Sequence, residues 1–138
     1  MKNLHVHALF SLYVLTLSSS AFAEQRIDIV QIMGQFVQAS YAASRCAKPD
    51  QDTLSHFLYN FKIVSVRATE ELKKRSPDQT EQQIINVLKQ RTNSVERAID
   101  EAIRTNSCSD PRIQDLLKRF EIQANLKLGA LKNQVQHF

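Results

Sequence analysis

Two cysteine-proline corners constrain this chain more than any other feature. Cys46-Ala47-Lys48-Pro49 and Cys108-Ser109-Asp110-Pro111 hold its only two cysteines and two of its three prolines. Each corner lies between stretches of helical periodicity, so each reads as a helix end, a turn and a fresh helix start. Proline suits the opening of a helix, where a backbone N–H would have no partner anyway. With two glycines in the whole chain and no sustained alternation of apolar and polar residues, strands have little to build on. The expected fold class is all-α: an antiparallel, up-down-up-down four-helix bundle stapled by one disulfide. In that arrangement both corners fall at one end, so Cys46 and Cys108 are expected to bond in an oxidising compartment.

The first residues set the expected compartment. Residues 1–23 have the layout of a cleaved signal peptide, with Lys2, an apolar run over residues 8–17 and an Ala21-Phe22-Ala23 cleavage site. That run is shorter than the roughly 20 apolar residues a membrane-spanning helix needs. Residues 24–138 then form one helical domain with no membrane span, and its location is expected to be periplasmic or secreted. The net charge of +4 is mild. No basic run is interleaved with aromatics, so no nucleic acid is expected as a partner.

Four apolar stripes define the expected helices. The first helix covers about Ile27 to Arg45, with Ile29, Ile32, Met33, Phe36, Val37 and Ser40 on one face and Gly34 off it. The second starts near Asp50, capped by Asp50 or Asp52, and buries Leu54, Phe57, Leu58, Phe61, Val64, Ser65, Ala68 and Leu72. It ends at Lys73-Lys74-Arg75, where cations complement the helix dipole rather than form a binding patch. The third starts with a capping box, either Ser76 with Gln79 or Thr80 with Gln83. Its seam is Ile85, Leu88, Thr92, Val95, Ile99 and Ala102. The fourth is capped by Ser109 or Asp110 and buries Ile113, Leu116, Leu117, Phe120, Ala124, Leu128, Leu131 and Val135, with Gly129 interrupting it near the end.

The search for chemistry returns no catalytic residues and no metal ligands, and no cofactor is expected. After cleavage His56 and His137 are the remaining histidines, far apart in sequence. The adjacent acids Glu70-Glu71 and Asp100-Glu101 diverge by about 100° on a helix and do not form a dyad. The sharper signal is apolar residues on the wrong side. Tyr59, Ile63 and Val66 fall opposite the second helix's core stripe, and Ile122 and Leu126 opposite the fourth's. These strips are candidates for a protein partner or self-association.

In gross plan (export signal, short helical chain, one disulfide) the chain resembles the HdeA-type periplasmic acid chaperones. The stretch Ser76–Gln83 is similar to the Leu-Thr-x-x-Gln motifs of Spy-like periplasmic chaperones, without the Leu-Thr. Neither resemblance assigns a residue. The expected function is an exported non-catalytic helical protein that binds another protein as an inhibitor, immunity or accessory factor. The alternative is a periplasmic stress chaperone that binds unfolded clients through exposed apolar strips.

Overall fold

The computed structural model of the chain describes residues 28–129. The signal peptide over residues 1–23, the start at Glu24, the apolar positions Leu131 and Val135, and His137 lie outside the described residues. Among those described the chain is helical throughout: α1 Ile29–Cys46, α2 Gln51–Arg75, α3 Glu81–Asn106 and α4 Pro111–Ala124, with a 3-10 turn at Ser107–Ser109. No helix among them is long and apolar enough to cross a membrane.

Each helix starts on a side chain that accepts a hydrogen bond from an otherwise orphaned N–H. Asp28 accepts from Val30 at 3.0 Å, Asp50 from Thr53 at 2.9 Å and Asp110 from Arg112 at 2.8 Å. At α3 the second of the two expected registers is used. Thr80 Oγ1 accepts from the Gln83 amide, and Gln83 Oε1 accepts from the Thr80 amide. Ser76 instead ends α2, and its carbonyl accepts from the Gln79 amide at 3.1 Å across a turn that contains Pro77. Proline favours the second position of such a turn because its φ is already set.

The larger core joins α1, α2 and α4. Phe57 stacks on Phe120 at 4.2 Å between ring centroids and lies 5.3 Å from Phe36. Each fully buried Phe contributes roughly 1.5–3 kcal/mol through removal of apolar surface from water. Ala39 and Ala43 bring α1 close to its neighbours. A smaller core of Ala42, Ile99, Ala102 and Ile113 holds the second half of α3 against α1 and α4. There Tyr41 donates its hydroxyl to Asp100 Oδ2 at 2.8 Å, and Arg45 Nε lies 3.1 Å from Asp100 Oδ1. The carboxylate that accepts from Tyr41 raises its pKa.

The Cys46–Cys108 disulfide closes the same region, with 5.6 Å between Cα atoms and 62 residues of sequence separation. Ser107, just before Cys108, has φ 60° and ψ −172°. That region is nearly exclusive to glycine and is tolerated where surrounding structure enforces it.

The stripes read from sequence need three corrections. On α2 the buried residues are Phe57, Asn60, Val64 and Ala68, while Leu54 and Leu58 are exposed. At 100° per residue, the helix is turned about 50° from the expected face. On α3 Ile84, not Ile85, is buried in the first turn. And α4 ends at Ala124 rather than continuing toward Val135.

One side chain accounts for both the turn of α2 and the end of α4. Asn60 is buried and donates its amide N–H groups to the carbonyl oxygens of Gln123, Ala124 and Leu126, at 2.9, 3.3 and 2.8 Å. Those carbonyls lie at the C-terminus of α4, where a helix leaves acceptors without partners. Asn60→Ala is expected to cost about 1–3 kcal/mol by removing the donors. Asn60→Asp is expected to cost more at neutral pH, since a carboxylate would face three carbonyl oxygens. Urea unfolding of both variants tests this; wild-type stability in Asn60→Asp would contradict it.

Candidate protein-docking groove

α3 rests on α1 through its second half and makes little contact with α4. The space between α4 and the stretch of α3 before that smaller core is therefore open. It forms a groove of about 1520 Å³ floored by α1, with Gln31, Gly34, Gln35 and Gln38 along its bottom. Val87, Gln90, Arg91 and Val95 of α3 make one wall, and Arg112, Asp115, Leu116 and Arg119 of α4 the other. Asp28 and Arg75 line it as well. Small-molecule pockets run to roughly 300–1,000 Å³, so this groove has the size for a segment of chain. A second groove of about 530 Å³ shares Gln35, Asp115 and Arg119 with the first and is lined by Ile32, Ile122 and Leu126.

Most cations around the groove are engaged. The Arg75 guanidinium donates to both oxygens of Asp28 at 3.1 and 3.2 Å and to Glu71 at 2.8 Å. That fork holds the Asp28 carboxyl below its ordinary pKa. Arg119 donates to Asp115 at 2.7 Å and Arg112 to Asp110 at 2.8 and 3.0 Å. Arg91 is different: among the described residues no carboxylate lies within 4.0 Å of it. Lys118, beside the second groove, is likewise without one.

The floor holds an unusual residue. A methyl group at Gly34 would meet nothing within 4 Å. Glycine inside a helix destabilises it by roughly 0.5–1 kcal/mol relative to alanine. No contact among the described residues calls for glycine there.

The residues singled out from sequence divide between two places. Ile122 is 54% exposed and, with Leu126 and Ile32, borders the second groove. Tyr59 and Val66 are exposed, at 57% and 52%, and line neither groove. Ile63 is only half-buried. The Tyr59 ring lies against Gly129, where an added Cβ would come within 2.9 Å of Tyr59 Cε1. Sequence reasoning missed the glutamines of α1. Their signal was present as Gln31, Gln35 and Gln38 at i, i+4 and i+7, an uncharged polar stripe around Gly34.

Among the described residues no group of three or more His, Cys, Asp or Glu side chains is placed to hold a metal ion. No family model matches this chain, and no curated protein or solved structure matches it significantly. The fold defines the class as a disulfide-stapled, all-α helical bundle with an open side.

Asp110, at the foot of the α4 wall, carries the clearest pH signature. Its side chain is 3% exposed. Hydrogen bonds from Arg112, then from Asn106 and the Arg112 backbone, hold its pKa far below the ordinary carboxylate value. A depressed folded pKa contributes stability that is complete above the unfolded value of about 3.9 and is lost as pH falls through the lower folded value. Asp110→Asn keeps a capping acceptor but removes the charge. It is expected to be less stable than wild type at pH 7, with the gap narrowing steadily below pH 4. Denaturant melts across that range check it; a gap independent of pH would contradict the assignment.

Proposed function

We propose that this is an exported, non-catalytic helical protein that binds another protein as an inhibitor, immunity or accessory factor. The observation that carries the reading is the open side between α3 and α4, a polypeptide-sized groove floored by uncharged polar side chains. The exposed Ile122 and Leu126 extend this surface along α4. Export is supported by the disulfide, since such bonds persist in oxidising compartments, together with the signal-peptide layout of residues 1–23. The up-down-up-down arrangement is supported at both ends. Asp28 at the start of α1 pairs with Arg75 at the end of α2, and Cys46 and Cys108 join the ends of α1 and α3. No enzyme activity, cofactor or nucleic acid enters this reading.

A second reading, a periplasmic stress chaperone, is favoured by a different surface. The outer face of α2 exposes Leu58, Tyr59 and Val66. Loosely specific clients would use such a face, whereas one dedicated partner would use the groove.

Photo-crosslinking in cells that export the protein separates the two. A benzophenone side chain is placed at Gln35 in the groove or at Val66 on the outer face. One discrete adduct from Gln35, and none from Val66, is the expected result. A ladder of many adducts from Val66 would favour the chaperone, and no adduct from either position would contradict both readings.

A further inference from the structure

We infer that the occupant of the α3–α4 groove is an acidic, amphipathic helix of the partner protein, lying against the α1 backbone at Gly34. The inference rests on the protein-binding reading and names the chemistry of the partner. Floor and walls are all helix, so their interior backbone groups are already paired. They present no sheet edge on which an extended peptide could satisfy its own N–H and C=O groups. A helix brings its hydrogen bonds with it and needs only side-chain complementarity.

The charge of the occupant follows from the lining. Four arginines line the groove against two aspartates. Three of the four are already held by carboxylates, and Arg91 on the α3 wall has none among the described residues. Lys118 presents a second such cation past the opposite wall. Carboxylates on the flanks of the incoming helix would pair with these two. Its apolar stripe would meet Val87, Val95 and Leu116.

Gly34 supplies an independent reason for close approach. The open space above it shows that nothing within the described chain needs the missing Cβ. A helix that packs onto another at short range does need small residues at the crossing, since interaxial distance is set by the side chains there. A destabilising residue with no internal justification is explained if the partner's helix crosses α1 at this point.

The test is the composition of the segment captured from Gln35, read by mass spectrometry of the crosslinked peptide. The expected segment is helical in its periodicity and carries net negative charge. Arg91→Glu is expected to lower adduct yield about tenfold or more, because like charges meet across the interface. Gly34→Leu is expected to do the same while the protein melts no lower than wild type. Gly34→Ala is expected to raise the melting temperature and still reduce the adduct. A captured segment that is basic or neutral, or one lacking helical periodicity, would overturn the inference while leaving the protein-binding reading in place. So would wild-type yields from Arg91→Glu and Gly34→Leu. Absence of any adduct at Gln35 would remove the protein-binding reading, and this inference with it.

Discussion

The Cys46–Cys108 disulfide is the constraint on which the shape of this molecule depends. α1, α2 and α4 share a ring-stacked core, but α3 has no part in it. At its start it is held by the buried Ile84 and an exposed Lys73–Glu81 pair to α2, and around its second half by a small cluster, the Tyr41–Asp100 hydrogen bond, the Arg45–Asp100 ion pair and the disulfide. Arg45 and Asp100 are both partly exposed, and such pairs typically contribute under about 1 kcal/mol. The disulfide contributes roughly 2–4 kcal/mol by restricting the unfolded chain, more than that pair and comparable to burying one or two of the large apolar side chains in the cluster, and it is the one covalent tie of α3 to α1 outside the chain itself. Because that anchor sits at one end and α3 meets α2 at the other, the stretch Val87–Val95 stands as a wall with a groove beside it instead of closing onto α4.

The aromatic core and the buried Asn60 form a second, separate layer of specification. Burial of Phe36, Phe57 and Phe120 leaves some freedom in the rotation of α2, because the hydrophobic effect is non-directional. Asn60 does not, because its donors must reach three particular carbonyls at the end of α4. A half-satisfied buried amide is costly, so this contact selects one rotation and leaves Leu54 and Leu58 exposed.

Much of this was legible in the sequence, and the failures have physical causes. Helix number and the cap candidates, of which the structure uses Asp50 rather than Asp52 and Asp110 rather than Ser109, follow from local chemistry, and the pairing of Cys46 with Cys108 follows from both corners falling at one end. The face of α2 was misread because a hydropathy stripe scores Leu58 as buried and Asn60 as exposed, and says nothing about a distant helix end that needs donors. The overlong α4 has the same origin: Leu128 continues the apolar spacing, but Asn125 and the reach of Asn60 stop the helix at Ala124. Ala39, Ala42 and Ala43 were overlooked as core because alanine adds little to a stripe while permitting close helix contact. Of the candidate surface, Ile122 and Leu126 were visible as misplaced apolar residues. The groove beside them was not, since it arises from the separation of α3 and α4 and no single residue encodes that.

The claim that one covalent anchor holds α3 apart from an otherwise self-sufficient core is tested most directly by amide hydrogen exchange. The oxidised protein would be compared with a Cys46→Ala, Cys108→Ala variant. Loss of protection concentrated in Glu81–Asn106, with the buried turns of α1, α2 and α4 around Phe36, Phe57 and Phe120 still protected, is the predicted result. Equal loss in all four helices, or an α3 as protected as in the oxidised protein, would contradict it.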